Sequence, residues 1–394
     1  MAVTSTDRTV SRLRPFASTI FAEMTALAAT HDAVNLGQGF PDTDGPPRML
    51  EVAREAIASG LNQYPPGKGM QILRDAIAGD RLRRYGNHFD PDSEILVTVG
   101  ATEAISAAML GLVEAGDEVV LIEPFYDSYA AAVALAGAQR RTVPLVADGD
   151  RFTLDVDALR TAVGPRTRMI VVNSPHNPTG TVFTRDELAA IAEVACEHDL
   201  VVLTDEVYER LVFDGGVHVP ISTLDGMAER TITVSSAAKT FNATGWKTGW
   251  ALGPAPLIAA VTAAKQFLTF VGGAPFQPAV AHALEHENAW VESLRDGLET
   301  KRNALSTALS DAGFGVKRSD GTYFVCADIA PLGEHAADAF CRDLPRRIGV
   351  VGVPVDAFVD HRDGWDTLVR FAFCKQDHVL AEAATRLARL SGST

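Results

Sequence analysis

Short apolar runs alternate with longer amphipathic segments through the middle of the chain. The apolar runs predict β-strands at residues 94–100, 118–124, 168–175, 200–206 and 231–236. Helical patterns follow residue 100, span about 127–137 and continue through the capped segment TRDELAAIAEVACEHD. Because continuous apolar strands alternate with helices, we predict an α/β fold whose mostly parallel sheet is covered on both faces.

The pattern changes after residue 288. A long helical pattern over about 289–312 precedes short strand patterns in GTYFVCADI and TLVRFAFCK, and a terminal helix follows. This mixture is typical of a smaller α+β domain. We therefore predict an N-terminal arm at 1–48 that forms part of the small domain, a large domain at 49–288 and a small C-terminal domain at 289–394.

Composition and charge exclude several classes of protein. The chain has 394 residues, of which 47% are hydrophobic and 22% charged, as is usual for a globular enzyme with two packed lobes. The formal charge of -15, without a basic run, argues against nucleic acid as a partner. The longest apolar run is too short to span a bilayer, and the N-terminus lacks the apolar segment of a secretory signal. We expect a cytoplasmic protein with no membrane partner.

Cysteine and histidine spacing predicts no metal site. The cysteines at 196, 326, 341 and 374 are scattered without a CxxC pair, which fits a reducing compartment. His282 and His286 lie four residues apart on a predicted helix, but the glutamate of HExxH and a third ligand are missing. We expect this pair to be a surface feature.

Lysine is scarce, and two lysines stand in one unusual stretch. Lys265, Lys301 and Lys317 fall in or beside helical surface patterns, where a solvated side chain is expected. Lys239 and Lys247 instead lie in SSAAKTFNATGWKTGW, directly after a predicted strand. This stretch is too polar for a core and too rich in glycine for a long helix, so a loop is predicted.

Polar residues follow three other predicted strands. Asp205 ends the strand before DEVY, NSPHNPTG occupies 173–180, and GATEA opens a helix at 100–104. Each feature by itself is ordinary, since a strand-end aspartate is often a helix cap and NPTG is often only a turn. Open α/β sheets bind ligands at the carboxyl ends of their strands, so the four features together favour a binding site.

One end of this site suits an anion. The helix start at Gly100, Ala101 and Thr102 offers free N–H groups and the positive end of a helix dipole. Lys247 and the Ser236 hydroxyl add a charge and a hydrogen bond. A phosphate group fits these donors.

The other end suits an aromatic aldehyde. Asp205 can pair with a protonated ring nitrogen, and Tyr208 or Asn177 can donate to a phenolate oxygen. Lys239 is an amine that can form a Schiff base. Phosphate, pyridinium, phenolate and aldehyde together describe pyridoxal 5′-phosphate as the cofactor.

A series of motifs along nearly the whole chain carries a family resemblance: NLGQGFPD, NQYPPGKG, GATEA, EPFYDSY, NSPHNPTG, DEVY, SSAAKTFNATGWKTGW and VRFAF. In this order they resemble the fold-type I class I/II aminotransferases, in the branch of kynurenine/glutamine, bacterial methionine and actinobacterial N-succinyldiaminopimelate aminotransferases. The resemblance implies a large pyridoxal-phosphate domain with a mostly parallel mixed sheet, and a smaller α+β domain. It also implies transfer of an amino group from an amino acid to a 2-oxo acid. The expected pair is N-succinyl-L,L-diaminopimelate and 2-oxoglutarate, in lysine biosynthesis.

The resemblance assigns catalytic roles to residues in three of the motifs. Lys239 would form the Schiff base with the cofactor and, once released, move the substrate proton. Asp205 would keep the ring nitrogen protonated. Tyr208 and Asn177 would contact the phenolate oxygen.

The same resemblance implies how the cofactor is held. Phe125 would stack on the ring, and its neighbour Tyr126 is the next residue to test. Tyr64 would reach the phosphate from the other subunit of a homodimer. The remaining phosphate contacts would come from Gly100, Ala101, Thr102, Ser236 and Lys247.

Substrate contacts are implied at the other side of the site. Arg370 in LVRFAF would grip the α-carboxylate through two parallel hydrogen bonds. Asn173, with Asn177, would steady that carboxylate, and Gly37 would allow the backbone to approach the substrate.

The identity of the substrate stays open. TFVGGAPFQ at 269–277 lacks the arginine that aspartate aminotransferases use for a distal carboxylate, so aspartate is not expected. Arg12 or Arg14 is our hypothesis for the distal carboxylate of a succinylated substrate. Methionine, glutamine and kynurenine are alternative donors, and a cysteine-conjugate carbon–sulfur β-lyase is an alternative reaction.

Overall fold

The computed structural model describes residues 8–390, so the ends of the predicted N-terminal arm and small domain lie outside the described residues. The strands are β1 (Val34–Asn35), β2 (Ile95–Val99), β3 (Glu118–Glu123), β4 (Gln139–Asp148), β5 (Arg151–Leu154), β6 (Thr167–Asn173), β7 (Val201–Asp205), β8 (Thr231–Ser236), β9 (Thr248–Leu252), β10 (Gly315–Val316), β11 (Phe324–Asp328), β12 (Val350–Val351), β13 (Val353–Pro354) and β14 (Leu368–Ala372). The α-helices are α1 (Ile20–Thr30), α2 (Pro47–Ala58), α3 (Gln71–Tyr85), α4 (Gly100–Leu112), α5 (Asp127–Ala136), α6 (Val156–Ala162), α7 (Arg185–Glu197), α8 (Ala237–Thr240), α9 (Ala255–Lys265), α10 (Phe276–His286), α11 (Asn288–Asp311), α12 (Ala337–Ile348) and α13 (Asp377–Leu387). Short 3₁₀ helices cover Ser11–Phe16, Ile221–Thr223, Thr244–Trp246, Ala330–Leu332 and Val355–Phe358.

The large sheet has eight strands in the order β2-β9-β8-β7-β6-β3-β4-β5. Its centre, from β8 through β7, β6 and β3 to β4, is parallel, while β9 runs antiparallel to both of its neighbours and β5 pairs antiparallel with β4. The α/β prediction is confirmed, because the five predicted strands all lie in this mixed sheet. The β4–β5 hairpin and β9 were not predicted.

Both faces of the sheet are covered. Val119 and Leu121 of β3 pack with helices α4, α5 and α9, whereas Val120 and Ile122 of the same strand pack with α6 and α7. Successive strand side chains point to opposite faces, so a strand buried on both sides must be apolar throughout. This is why the apolar runs were recognisable as strands.

The C-terminal part forms a second core around a smaller antiparallel sheet in the order β10-β11-β14-β13. N-terminal residues join it: β1 pairs in parallel with β12, and Met24, Ala28 and Leu36 are buried in the same apolar cluster as Phe371. The N-terminal segment therefore packs with elements more than three hundred residues away in the chain.

The stretch predicted as a loop contains regular structure. After β8 the chain forms the short helix α8 and the 3₁₀ turn Thr244–Trp246, and then returns as β9. Lys239 lies on α8, and Lys247 adopts a left-handed backbone with φ of 51° between the turn and β9. The strand β9 was missed because it contains a glycine: Gly249 packs so closely on α4 that a Cβ would lie 2.6 Å from the Gly100 carbonyl carbon.

None of the helices between residues 8 and 390 is long and apolar enough to cross a lipid bilayer.

Candidate active site

A cavity of about 380 Å³ opens at the carboxyl ends of β6, β7 and β8. Most of the predicted site residues line it together: Gly100, Ala101, Thr102, Asn173, Asn177, Asp205, Tyr208, Ser236, Lys239, Lys247 and Arg370. Parallel strands end at a common edge, so residues that are far apart in the chain meet there.

Lys239 extends from α8 toward two aromatic rings. Its Nζ lies 5.9 Å from the centre of the Tyr208 ring and 5.6 Å from that of Tyr323. Burial, supported by the nearby charges of Lys247 and Arg370, lowers the pKa of Lys239 to about 8, although Cys374 and Asp205 act in the opposite direction. With this pKa about a tenth of the amine is uncharged at pH 7, a far larger fraction than for an ordinary lysine, and the uncharged form is the one that acts as a nucleophile or a general base.

Asp205 ends β7 at the bottom of the cavity, where it is only 4% exposed. Its carboxylate accepts hydrogen bonds from the Tyr129 hydroxyl at 2.7 Å and from the Val207 N–H at 3.2 Å. Burial raises the pKa of Asp205, while these two hydrogen bonds and the charge of Lys239 oppose the rise. A buried carboxylate of this kind is stabilised by a positively charged ligand atom.

The amino end of α4 forms an anion-binding corner. Its N-cap residue, Val99, has no side-chain oxygen with which to cap the helix. Gly100 has φ of 75°, and a Cβ there would lie 3.2 Å from Lys247 Nζ. Free helix N–H groups, the Lys247 ammonium and the buried Ser236 hydroxyl converge on the same cavity. This set of donors suits a phosphate group.

Arg370 lies on β14, lines the cavity and is 1% exposed. Its Nη1 donates to Asn177 Oδ1 at 2.9 Å, and its Nη2 donates to the Gly37 carbonyl at 2.8 Å. Within residues 8–390, Nε has no hydrogen-bond partner. The guanidinium carbon lies 4.0 Å from the centre of the Phe324 ring. A buried guanidinium with a spare donor, facing a cavity, is a receptor for a carboxylate.

Asparagines connect the arginine to the strand ends. Asn173 Nδ2 donates to the Asp205 carbonyl at 2.9 Å, which joins the ends of β6 and β7. The Asn177 N–H donates to Asn173 Oδ1 at 2.8 Å. The NSPHNPTG segment thus holds Asn177 against Arg370 and beside the cavity.

The structure places Phe125 away from the cavity. Among the described residues, Tyr126 lines the cavity and Phe125 does not. Phe125 is 6% exposed within the core, and its N–H donates to the Phe358 carbonyl at 2.9 Å. The backbone is extended before α5, so adjacent side chains point in opposite directions and only Tyr126 faces the site.

Two further predicted residues lie outside the cavity wall described by residues 8–390. Gly37 contacts Arg370 through its carbonyl, and a Cβ there would meet Val353 at 2.9 Å. Tyr64 is 82% exposed and packs edge-on against Phe270, with the ring centres 5.6 Å apart.

His286 is exposed, whereas its neighbour on α10, His282, is half-buried. The rings of His282 and His286 are 4.7 Å apart. In the described part of the chain they belong to no group of three metal-ligating side chains.

Several cavity residues escaped sequence reasoning: Phe21, Gln38, Gly39, Phe40, Tyr129 and Phe324. Tyr129 had a detectable signal, since it stands three residues after Tyr126 in EPFYDSY, one turn along a predicted helix. Gln38, Gly39 and Phe40 belong to the NLGQGFPD motif. For Phe21 and Phe324 the sequence offered no signal, because only tertiary packing brings them to Arg370.

Known proteins are similar to this chain in sequence and in fold. The profile of the aminotransferase class I and II family matches residues 31–387. A probable N-succinyldiaminopimelate aminotransferase of Mycobacterium tuberculosis is 61% identical over 391 residues, covering 97% of this chain and 98% of that protein. The methionine aminotransferase of Escherichia coli is 38% identical and covers 96% of this chain and 98% of its own length.

A solved structure agrees closely with this fold. The N-succinyldiaminopimelate aminotransferase from Mycobacterium tuberculosis superposes with a TM-score of 0.96 at 63% identity, covering 97% of this chain and 100% of that one. The family match over most of the chain and the high identity lead to one conclusion: the chain belongs to the class I and II aminotransferases and is a transaminase.

Proposed function

We propose that this transaminase uses pyridoxal 5′-phosphate, with Lys239 as the attaching lysine. The observation that carries the proposal is that Lys239, Asp205 and the amino end of α4 face one cavity. Aminotransferases of this family depend on that cofactor. The residues present fit this cofactor. Gly100 has no side chain and leaves space beside Lys247, and the buried carboxylate of Asp205 also faces the cavity.

The residues divide the work of holding the cofactor. The α4 N–H groups, Ser236 and Lys247 would bind the phosphate, and Asp205 would hold a proton on the ring nitrogen. Tyr208 and Asn177 would contact the phenolate oxygen, and Tyr126, rather than Phe125, would cover a ring face. When bound, pyridoxal phosphate supplies an aldehyde for amino-group exchange and an electron-withdrawing ring. Lys239 would carry a proton to and from the substrate α-carbon, since its pKa is lowered to about 8.

Arg370 would bind the α-carboxylate of both the amino acid and the 2-oxo acid. Arg370→Lys is expected to raise the KM for both substrates about 10- to 100-fold, because lysine keeps the charge but loses the paired donors. Steady-state kinetics with each substrate varied will measure this. Arg302→Lys is the matched control, since Arg302 is also buried but binds Asp214 away from the cavity. An unchanged KM in Arg370→Lys would contradict the assignment.

We infer that the amino donor is N-succinyl-L,L-diaminopimelate and the acceptor 2-oxoglutarate, which places the enzyme in lysine biosynthesis. The support is the 61% identity with the mycobacterial relative over nearly the whole of both chains. Methionine, glutamine and kynurenine are competitors, because related aminotransferases act on methionine and kynurenine at 35–38% identity.

A single-turnover comparison of donors will test this inference. Each amino acid is added to the cofactor-loaded enzyme, and the loss of the visible cofactor band is timed before 2-oxoglutarate is added. The succinylated substrate is expected to react with a kcat/KM at least about tenfold above the other donors. A faster reaction with methionine or kynurenine would overturn the assignment of the donor, and pyruvate with ammonia from a cysteine conjugate would indicate a β-lyase.

Arg12→Ala and Arg14→Ala test the hypothesis that either arginine binds the succinyl carboxylate. The expected result is a raised KM for the succinylated donor alone.

We also propose a homodimer whose subunits share their sites. Tyr64 and Phe267 are 82% and 85% exposed, and Phe270 beside Tyr64 is 48% exposed. Apolar patches of this kind mark interaction surfaces. The patch borders a segment that also contains Leu268, 45% exposed.

Tyr64→Phe tests the shared site without removing the apolar patch. Sedimentation is expected to give twice the 42.0 kDa chain mass for both proteins. The variant is expected to bind pyridoxal phosphate about tenfold more weakly, because the phosphate loses one hydroxyl donor from the neighbouring subunit. A fully active monomer would contradict the dimer, and unchanged affinity would remove Tyr64 from the site.

A further inference from the structure

Three cavity residues have chain neighbours whose side chains enter a second, buried polar cluster. The pairs are Asp205 with Glu206, Tyr208 with Glu209, and Ser236 with Ser235. Within residues 8–390, the first member of each pair lines the cavity and the second does not. The cluster is therefore joined through the main chain to three cavity residues, and its own side chains do not line the cavity.

Arg81 of α3 holds this cluster together. Its Nη1 donates to Glu206 Oε2 at 3.0 Å and to Glu209 Oε2 at 2.7 Å. The Ser235 hydroxyl donates to Glu209 Oε1 at 2.9 Å. The Arg81 guanidinium carbon lies 4.6 Å from the centre of the Tyr85 ring. One helix is thereby connected to the end of β7, to the turn that follows it and to the end of β8.

The cluster is buried and charged. Arg81 is 2% exposed, Glu206 0% and Glu209 6%. Burial by itself raises the pKa of Glu209, but the charges of Arg81 and Arg84 outweigh it and bring the pKa to about 2. Glu209 therefore remains an acceptor for Arg81 across the neutral pH range.

A metal site is the other interpretation of these side chains. Ligand atoms of Glu206, Glu209 and His218 lie within 4.8 Å of one another. The Arg81 guanidinium, however, already contacts both carboxylates at 3.0 and 2.7 Å. A divalent cation there would meet a positive charge that cannot be deprotonated, so the arginine is the cation of this cluster.

We propose that Arg81, Glu206, Glu209 and Ser235 are positioning residues that hold Asp205, Tyr208 and Ser236 at the cavity wall. The proposal rests on the proposed cofactor function. Removing one member of the cluster allows the ends of β7 and β8 to shift. The cofactor would then bind more weakly, because Asp205, Tyr208 and Ser236 would no longer all be in position to contact it.

Glu209→Gln and Ser235→Ala are the informative variants, since neither residue lines the cavity and Ser235→Ala changes no charge. Glu118→Gln is the matched control. Glu118 is a 3% exposed carboxylate at the start of β3, bound to Arg141 and Arg166, and so lies at the end of the sheet away from the cavity. For each protein we would measure the Tm without cofactor, the Kd for pyridoxal phosphate, and the visible circular dichroism of the bound cofactor relative to its absorbance.

Glu209→Gln and Ser235→Ala are expected to weaken pyridoxal phosphate binding about tenfold and to change the relative visible dichroism. Glu118→Gln is expected to lower only the Tm. If both cluster variants match the wild type, or if Glu118→Gln changes binding and dichroism equally, the positioning role is wrong. Should Glu209→Gln not fold, Ser235→Ala alone decides between these results. A wild-type protein that binds no pyridoxal phosphate would contradict the proposed function, which is a separate outcome.

Discussion

Lys239→Ala is expected to reduce transamination by at least about 10⁴-fold, which is the largest effect of any single change at the site. In the proposed mechanism, the variant would lose both the amine that attaches the cofactor and the base that moves the substrate proton. Lys239 is the lysine of α8 and lines the cavity, and burial lowers its pKa to about 8. Borohydride reduction followed by peptide mass spectrometry is expected to find pyridoxyl mass on Lys239 of the wild type and on no peptide of the variant.

Lys247→Ala is the matched control, because this lysine lies in the same stretch and lines the same cavity. It is expected to bind pyridoxal phosphate at least about tenfold more weakly, through the loss of one phosphate contact, and still to attach the cofactor covalently at saturating concentration. If Lys239→Ala retains covalent cofactor, Lys239 is not the attaching lysine. If Lys247→Ala also loses covalent cofactor at saturation, the two lysines have the opposite roles.

Asp205→Asn is expected to lower kcat by about 10³-fold, equivalent to about 4 kcal/mol of transition-state stabilisation. Asparagine has nearly the same shape, so the cavity is preserved. Tyr129 and Val207 donate to different oxygens of Asp205, and the single amide oxygen of asparagine can accept only one of these two hydrogen bonds. What it loses is the negative charge that would hold a proton on the ring nitrogen. The measurement is kcat for both half-reactions, together with the Kd for pyridoxal phosphate.

Tyr129→Phe distinguishes the effect of the Asp205 charge on kcat from the effect of the carboxylate's orientation. This variant removes only the 2.7 Å hydrogen bond and leaves the carboxylate in place. A reduction in kcat of about tenfold is expected, because the charge remains but is less firmly held. Asp205→Asn with a kcat within tenfold of the wild type would mean that the carboxylate does not act on the ring.

The central sheet was predictable because burial on both faces forces a strand to be apolar throughout. That requirement left β3, β6, β7 and β8 visible as continuous runs. Strands under weaker constraint were missed. In β4, residues at both ends are exposed, so its pattern did not resemble a buried strand. β9 contains glycine, which the close approach of α4 requires.

Lys265 shows how a local pattern can mislead. It falls in a helical segment and was expected to be solvated, yet it is 2% exposed. Its ammonium donates to the carbonyls of Gly67 at 3.1 Å and of Phe270. Gly67 lies 198 residues away in the chain, and Phe270 lies in the segment that follows α9, so the periodicity of the helix itself carries no information about either acceptor.

The positions of the buried strands along the chain, and the polar residues at their carboxyl ends, were determined by the sequence alone. Continuous apolar runs are a local property of the sequence, and the common edge of parallel strands then brings Lys239, Asp205 and Asn177 together. Only the tertiary structure decided that Tyr126 rather than Phe125 faces the cavity, and that Arg370 is held by Gly37 and Asn177. The physical reason is that these contacts join segments up to 333 residues apart, and their geometry depends on how whole elements pack.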